Sequence, residues 1–256
     1  MTIRRAIILS AGQGSRLLPL TLDIPKCLID FSGKTLIDWQ IDALAASGVE
    51  EIVVVTGFHA ERVEEVLARR RDVNVRTLFN PFYKVADNLG SCWLARGVMD
   101  RDFIILNGDT LVSPEIVGSL QGKAEMPISV TIDVKDSYDS DDMKVTRQGD
   151  RLVAIGKRLS AGESDAESIG MLAFKGEGPA LFREAVEAMM RTPEGVKNWY
   201  LKVIDSLAPS GVVGTVSIEG HRWAEVDFPE DVEIGRALTS GWAAAAPTVA
   251  GARASA

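Results

Sequence analysis

A glycine-rich turn followed by two basic side chains is the part of the sequence that points most clearly to chemistry. Residues 12–26 read GQGSRLLPLTLDIPK and come directly after the apolar run AIIL at residues 6–9. Because glycine has no Cβ, the backbone N–H groups of such a turn can approach an anion closely. Arg16 adds a forked cation and Lys26 a point charge, both suited to polyphosphate. Together these features predict a site for a nucleoside triphosphate.

The same turn lacks the marks of two common nucleotide-binding loops. The Gly-Lys-Ser/Thr ending of a P-loop is absent, and Leu17 stands where a dinucleotide-binding Gly-x-Gly-x-x-Gly turn requires glycine. The candidate nucleotide-binding residues are Ser10, Ala11, Gly12, Gln13, Gly14, Ser15, Arg16 and Lys26.

A carboxylate at the end of another apolar segment is the next candidate. Residues 103–109 read FIILNGD, so Asp109 follows a strand-like run by way of a glycine. In a parallel sheet, Asp109 and the glycine-rich turn would lie at the same edge. Mg2+ prefers one or two carboxylates together with phosphate oxygens and water, so Asp109 is a candidate Mg2+ ligand.

The string Gly-x-Gly-Ser-Arg-x2-Pro-x5-Pro-Lys is similar to the signature of nucleotidyltransferases that join a nucleoside monophosphate to a sugar phosphate or a small phosphoalcohol. The resemblance covers about residues 4–238, with Ser10 where the family usually has Ala. It implies an α/β fold with a Rossmann-like, mixed, mostly parallel sheet, helices on both faces and a small β-rich lobe on the acceptor side.

The resemblance also implies further site residues. Asp227 matches a family carboxylate at a strand-to-helix junction and would be the second Mg2+ ligand, with Glu225 as its local competitor. Lys157 matches the lysine that contacts the acceptor phosphate. Lys144 could face the same pocket or solvent. The acceptor-binding candidates are Lys144, Arg158, Glu167, Tyr83 and Trp93.

Asn88 and Ser91 bear on the choice of nucleotide. Sugar-nucleotide members of the family often have a glycine-rich stretch here, whereas Asn-x-x-Ser resembles the members that use CTP. Those enzymes activate phosphocholine, inositol phosphate, phosphonates or related phosphoalcohols. Asn88 could instead cap a helix.

The acceptor itself stays open at this point. A quaternary ammonium group would call for an aromatic cage, for which Tyr83, Trp93, Trp199 and Tyr200 are available. An acidic acceptor, such as a phosphoglycerate, would instead call for an extra cation such as Arg158.

The expected reaction is in-line attack by an acceptor phosphate or phosphonate oxygen on the α-phosphorus of the triphosphate, with release of pyrophosphate. That oxygen is anionic at neutral pH, so no general base is required. Catalysis would depend on positioning and on charge neutralisation by Arg16, Lys26 and Lys157. The alternatives are a uridylyl- or guanylyltransferase acting on a sugar 1-phosphate, and a non-catalytic nucleotide-binding regulatory module.

The elements that must position these residues alternate in the first half of the chain. Apolar runs predict strands at 5–9, 51–56, 75–79 and 102–106, and helical patterns lie at 35–46, 59–70 and 89–98. The second half is richer in strands, predicted at 128–134, 143–146, 152–155, 168–174, 212–218 and 222–226. Helices are predicted at 178–190, 196–207 and 229–238.

We expect one nucleotidyltransferase domain over residues 1–240 and a disordered, Ala-rich tail at 241–256. The net charge of −8 argues against a nucleic-acid partner, and two cysteines provide no disulfide framework. We find no signal peptide or membrane-spanning run and expect a cytoplasmic location. The sequence does not predict an oligomeric state.

Overall fold

The computed structural model describes residues 2–245, which form a nine-stranded sheet and two two-stranded ribbons. The first half contains β1 (Arg5–Ser10), β2 (Asp30–Phe31), β3 (Lys34–Thr35), α1 (Leu36–Ala46), β4 (Glu51–Thr56), α2 (Ala60–Leu67), β5 (Asn74–Phe79), α3 (Asn88–Ala95), β6 (Phe103–Asn107), β7 (Thr110–Leu111) and α4 (Pro114–Lys123). The second half contains β8 (Ile128–Asp133), β9 (Lys144–Gln148), β10 (Arg151–Ile155), β11 (Ala166–Phe174), α5 (Gly178–Met190), α6 (Tyr200–Leu207), β12 (Val213–Ser217), β13 (Ala224–Glu225) and α7 (Pro229–Ala245).

The first half of the chain builds the parallel part of the sheet, in the order β5-β4-β1-β6. β1, β4 and β6 are unbroken apolar runs because helices cover both faces of this part, so neither face needs polar residues. All three strands point the same way, and the turns after β1 and β6 therefore lie at one edge.

The second half continues the same sheet with mixed strand directions. β11 runs antiparallel to β6 and to β8, and β12 is parallel to β8. β9 and β10 form a hairpin across Gly149 and Asp150. β9 also pairs with the start of β11, so this end of the sheet curls back on itself. The predicted α/β class is confirmed, and the predicted β-rich part of the chain is an extension of the central sheet.

Two helical layers enclose the sheet. Side chains of α3, α5 and α6 pack on one face and contact Ile7 and Ile105 of the central strands. Side chains of α1, α2 and α4 pack on the other face and contact Ile8 and Ile104. This alternation of neighbouring residues between two cores is what a strand buried on both sides requires.

A third, smaller core lies beneath α7. Leu17, which belongs to the glycine-rich turn, is fully buried there together with Phe31 and Leu111. Val232 and Leu238 of α7 close this core. The path of the turn after β1 is thus fixed by packing against the last helix that the structure describes.

Several predicted boundaries need correction. α2 begins at Ala60 and ends at Leu67, and α6 begins at Tyr200 after a short 3-10 turn. The sequence prediction did not include α4. α7 extends past the predicted end, to Ala245, because its alanines favour helix and Trp242 packs against Trp39 with ring centroids 5.8 Å apart.

The predicted disordered tail is therefore wrong for residues 241–245, which are helical. The rest of that tail, residues 246–256, lies outside the described residues. The assignment of residues 1–240 to a single domain stays a prediction. Within residues 2–245, no helix combines the length and the apolar character needed to cross a membrane.

Candidate active site

Gly14 allows Lys26 to return to the turn that follows β1. Its φ is +75°, a conformation that side chains disfavour. A Cβ there would lie 2.9 Å from Cδ of Lys26, so glycine is also required by the close approach of that side chain. Thr21 Oγ1 donates a hydrogen bond to the Gly14 carbonyl, and Gln13 Nε2 donates one to the Thr21 carbonyl. These bonds hold the predicted phosphate-binding turn in a closed, internally bonded shape.

Gly108 plays the corresponding role for Asp109. The end of β6 passes so close to the end of β1 that a Cβ on Gly108 would lie 2.4 Å from the Leu9 carbonyl oxygen. The Gly108 N–H donates a 3.0 Å hydrogen bond to that same oxygen. Asp109 is thereby brought to the edge where the glycine-rich turn lies, as the sequence predicts.

Gln40 is a positioning residue that the sequence analysis missed. It is fully buried on α1, and its Nε2 donates to the carbonyls of Asn107 (2.7 Å) and Thr110 (2.9 Å), on either side of Asp109. The signal was a polar residue within the buried face formed by Leu36, Ile37, Ile41 and Leu44. Such a residue on an apolar face must find partners, because burying an unbonded amide is costly.

Asp227 reaches the same edge by another route. β13 pairs antiparallel with β7, and the Val226 N–H donates to the Asp109 carbonyl at 3.0 Å. Asp231 Oδ2 accepts hydrogen bonds from the backbone N–H groups of Asp227 and Phe228, which fixes the start of α7. The two candidate metal-binding carboxylates, far apart in sequence, are therefore held by adjacent backbone segments.

Lys26 lies between these two carboxylates. Its Nζ is 2.9 Å from Asp109 Oδ2 and 2.5 Å from Asp227 Oδ1, and its side chain is only 11% exposed. Burial disfavours the charged amine, but the adjacent carboxylates outweigh that effect and raise the pKa of Lys26 above its usual value. The ammonium form is therefore stable at this position. The neighbouring Cys27 is not a nucleophile, since burial raises the pKa of its thiol to about 12.

Glu225 completes a cluster of three carboxylates. One oxygen each of Asp109, Glu225 and Asp227 lies within 4.8 Å of the others. Partial loss of solvation, and then the negative charges of Asp109 and Asp227, raise the pKa of Glu225 above its usual value. Asp109 Oδ1 is buried and has no hydrogen-bond partner within residues 2–245. A hard cation such as Mg2+ fits these oxygen ligands and would satisfy the unpaired atom.

Arg16 and Lys157 meet through Asp141, which the sequence analysis did not single out. Arg16 Nη1 is 2.9 Å from Asp227 Oδ2 and 3.2 Å from Asp141 Oδ2. Lys157 Nζ is 2.7 Å from Asp141 Oδ1. The hydrogen bond from Lys157 lowers the pKa of Asp141 below its usual value. The structure thus brings together Arg16, Lys26, Lys157, Asp109 and Asp227.

A cavity of about 260 Å³ opens beside this cluster. Its lining includes Lys26, Asp109 and four residues at the turn, Ser10, Ala11, Gly12 and Gly14. Asn88 and Ser91 also line it, but both side chains already have partners. Asn88 Oδ1 accepts from the Tyr200 N–H (2.9 Å), and Ser91 Oγ accepts from Asn80 Nδ2 (3.0 Å). Asn88 therefore fixes the start of α6 and does not cap its own helix.

The structure brings two of the five acceptor-binding candidates to cavities near the carboxylate cluster. Tyr83 lines the cavity beside the cluster, and Arg158 lines a second one next to it. Trp93 lies on another side of α3, with the Arg96 guanidinium 3.9 Å from its ring centroid. Trp93 comes two positions after Ser91 in α3, so the two side chains point about 200° apart around the helix. This explains why Ser91 lines the cavity and Trp93 does not.

Lys144 and Glu167 are buried away from both cavities, which corrects their assignment to an acceptor site. Lys144 is 3% exposed, and its Nζ donates to the Asp139 carbonyl at 2.5 Å. Glu167 Oε2 lies 2.9 Å from Lys135 Nζ. Both residues stand where β9 and β11 pair, and both are buried there. Their partners hold the loop before β9.

Comparison with known proteins agrees with this geometry. The family model described as nucleotidyl transferase matches residues 5–142, more than half of the chain. The inositol-1-phosphate CTP transferase from T. maritima has the same fold, with a TM-score of 0.79 at 22% sequence identity over 94% of this chain and 98% of that one.

Two curated relatives differ in how much of the chain they match. The CTP:phosphoglutamine cytidylyltransferase of Campylobacter jejuni is 28% identical over 252 residues, 90% of this chain and 98% of the relative. The mannose-1-phosphate guanyltransferase of Schizosaccharomyces pombe is 37% identical over 111 residues, 42% of this chain. The matched part is only 31% of that larger relative. The family match includes the glycine-rich turn, Lys26 and Asp109, and the chain belongs to the nucleotidyl transferase family.

Proposed function

We propose that the protein transfers CMP from CTP to a phosphate or phosphonate oxygen of a small phosphorylated alcohol or phosphonate, with release of pyrophosphate. The observation that carries this proposal is the position of Lys26 between Asp109 and Asp227, directly beside the glycine-rich turn. Lys26 offers a cation to a triphosphate bound over the turn, and the two carboxylates offer ligands to its Mg2+.

The choice of CTP is supported by a relative that matches 90% of the chain. The C. jejuni protein is named as a cytidylyltransferase and covers the acceptor-side half as well as the turn. The S. pombe guanyltransferase matches a shorter part at higher identity, which keeps a guanylyl- or uridylyltransferase acting on a sugar 1-phosphate as the second candidate.

Each residue of the site has a role in this reaction. Arg16 and the backbone of the turn would bind the leaving pyrophosphate, and Lys26 would neutralise charge near the α-phosphate. Lys157 would bind the acceptor phosphate. Asp109 and Asp227 would hold Mg2+, with Glu225 adjacent to both. Bound Mg2+ supplies neutralisation of phosphoryl charge.

The decisive experiment measures pyrophosphate release by the purified protein with Mg2+, each of the four nucleoside triphosphates and a set of phosphorylated acceptors. Acceptor-dependent release with CTP is the expected result. Release only with GTP or UTP and a sugar 1-phosphate would favour the second candidate. Nucleotide binding without release from any pair would favour a non-catalytic regulatory module.

Loss of Lys26 or Asp109 is expected to lower turnover strongly. Removing one preorganised charged group typically costs a factor of about 10²–10³ in kcat. We therefore expect kcat to fall by that factor in Lys26→Ala and in Asp109→Ala. Lys123→Ala is the matched control, because Lys123 lies on α4 and pairs with Glu219 at the surface. Turnover in either site variant equal to that of the control would reject these roles.

A further inference from the structure

A second cavity, of about 410 Å³, lies next to the one that contains the glycine-rich turn. Trp199 lines both cavities, so they are neighbours across its indole ring. Apolar side chains of Met143, Ile155 and Leu201 form part of the wall. The cavity is therefore large enough, and close enough, to hold a small molecule that reacts in the first one.

The second cavity is basic in a protein that is acidic overall. Lys157, Arg158, Lys197 and Lys202 line it, and its lining within residues 2–245 includes no Asp or Glu. The whole chain has a net charge of −8, so four cations around one cavity are a local departure from its charge balance. A site of this kind attracts and holds anions.

Two of these four cations have no carboxylate partner. Lys157 pairs with Asp141 at 2.7 Å, and Lys202 pairs with Asp205 at 2.8 Å. Among the ion pairs formed by the described residues, none involves Arg158 or Lys197. Both side chains are exposed at the cavity and able to bind a ligand anion.

Lys157 marks the end of the cavity nearer the reacting phosphates. It contacts Asp141, which contacts Arg16, which in turn contacts Asp227 of the carboxylate cluster. A phosphoryl group bound by Lys157 would therefore lie toward the cluster. The charges of Arg158 and Lys197 would then be left for a different part of the same molecule.

We propose that this cavity binds the acceptor, and that the acceptor carries a second anionic group, a carboxylate or another phosphate, which Arg158 and Lys197 bind. Its short carbon body would lie against Trp199 and Leu201. This inference rests on the proposed transferase function, because it names the chemistry of the acceptor in that reaction.

The same surroundings disfavour an acceptor with a cationic head group. An ammonium cage needs free aromatic faces, and Lys157 Nζ already lies 5.3 Å from the Trp199 ring centroid. Tyr200 is fully buried, with its hydroxyl donating to Asn107 Oδ1. Trp93 lies outside both cavities. A cationic head group would also be repelled by Arg158 and Lys197, whose charges no carboxylate among the described residues balances.

The test compares acceptors whose group opposite the phosphate is a carboxylate, a hydroxyl, a second phosphate or a quaternary ammonium. With CTP and Mg2+, pyrophosphate release is measured with 3-phosphoglycerate, glycerol 3-phosphate, propane-1,3-diol bisphosphate and phosphocholine. We expect kcat/KM to be at least about tenfold higher for 3-phosphoglycerate or the bisphosphate than for glycerol 3-phosphate, as one charge-assisted contact predicts. Whichever of 3-phosphoglycerate and the bisphosphate has the higher kcat/KM tells whether the second group is a carboxylate or a phosphate. Equal or better use of glycerol 3-phosphate or phosphocholine would overturn the inference.

A double variant identifies the cations responsible. The double variant Arg158→Ala with Lys197→Ala should raise KM about tenfold for the preferred acceptor with two anionic groups. Its KM for CTP and for glycerol 3-phosphate should stay within about twofold of the wild-type values. Arg69→Ala with Arg191→Ala removes the same net charge from exposed positions outside both cavities and is the control. An unchanged preference in the cavity variant, or equal loss with every acceptor, would contradict the assignment.

Equilibrium binding separates this inference from the proposed function. If no pair of substrates releases pyrophosphate, the proposed function fails, and calorimetric titration of 3-phosphoglycerate and of the bisphosphate into each variant still reports on the cavity. Binding that is about tenfold weaker in the cavity variant than in the control would support the second anionic group. Identical binding by both variants would overturn it.

Discussion

Asp141 occupies the place between two cations that are expected to bind phosphate. Its carboxylate contacts Arg16 at 3.2 Å and Lys157 at 2.7 Å. Arg16 and Asp141 are each about half exposed, and Lys157 is 23% exposed. Ion pairs that are this open to solvent contribute at most about 1 kcal/mol. An anionic substrate can therefore displace this carboxylate, but it has to compete with it.

Replacing Asp141 by Asn should make anion binding easier. Because the competing charge is gone, we expect KM for the phosphorylated acceptor to fall about two- to fivefold in Asp141→Asn, the range that corresponds to less than about 1 kcal/mol. Steady-state kinetics with varied acceptor is the measurement. A rise in KM would mean that Asp141 holds Arg16 and Lys157 in position for the substrate.

Glu167 should make stability depend on pH. Burial, opposed by Lys135, raises the pKa of Glu167 from 4.5 to about 7. Between these two values the folded protein holds a proton that the unfolded chain has lost, so stability falls as pH rises through this window. Glu167→Gln removes that proton uptake. We expect its free energy of unfolding to improve relative to the wild type by about 1–3 kcal/mol between pH 5 and pH 8.

Urea denaturation of both proteins at several pH values checks this prediction. Only the difference between the two curves is informative, because the variant also alters the contact with Lys135 at every pH. Parallel pH profiles for the two proteins would show that Glu167 titrates normally in the folded state.

Residue types and spacing pointed to Lys26 and Asp109, and the family resemblance added Asp227. Lys26, Asp109 and Asp227 belong to short motifs whose neighbours are glycine, proline or an apolar strand. Asp141 and Gln40 carry no such context, since an acidic loop residue and a helix glutamine occur in most proteins. Their roles depend on which distant segments fold against them, and spacing along the chain does not contain that information.

At the scale of elements, the glycine-rich turn after β1 depends on Gly14 more than on Gly12. Gly14→Ala places a Cβ 2.9 Å from the Lys26 side chain at φ +75°, whereas a Cβ on Gly12 meets nothing within 4 Å. We expect Gly14→Ala to lower the free energy of unfolding by about 1–3 kcal/mol. Gly12→Ala should change it by less than about 1 kcal/mol.

Chemical denaturation of the two alanine variants is the measurement, and it concerns stability alone. Equal loss in both variants would mean that the turn tolerates no side chain at either position. Equal stability would mean that Lys26 moves aside without cost.

The elements themselves were predicted well where one pattern repeats. β4 and α5 have the predicted bounds. The unbroken apolar run of β4 is typical of a buried strand, and the long amphipathic repeat of α5 is typical of a helix. α4 was missed since Gly118 and Gly122 weaken its helical signal, and it forms because Ile116, Val117 and Leu120 pack in the core. The curl of β9 toward β11 arises from pairing between distant segments and has no local signature.

For the whole molecule, ligand binding should stabilise the fold through the carboxylate cluster. CTP with Mg2+ at 100 times its Kd would add about 2.7 kcal/mol, which raises Tm by several degrees. Chelation of the metal should remove most of that rise in Tm, because the phosphates would then face Asp109 and Asp227 without Mg2+ between them. Thermal melts with CTP, with and without EDTA, provide the measurement.

Asp109→Asn is the matched variant for these melts. Its melting temperature without ligand should be close to that of the wild type, and its rise with CTP and Mg2+ should be smaller. A CTP-induced rise that is the same with EDTA as with Mg2+ would show that nucleotide binding does not involve the cluster.

The third core, beneath α7, has a consequence for how the protein is made. A chain leaves the ribosome from its N-terminus at about 5–20 residues per second, and its segments begin to fold in that order. Leu17 and Phe31 leave the ribosome before their partners in this core. Val232 and Leu238 follow only after some two hundred further residues. Lys26 likewise has no Asp227 to contact until synthesis has passed residue 227. The nascent protein therefore exposes an apolar patch beside an unfinished reaction centre until residues 227–238 have been synthesised.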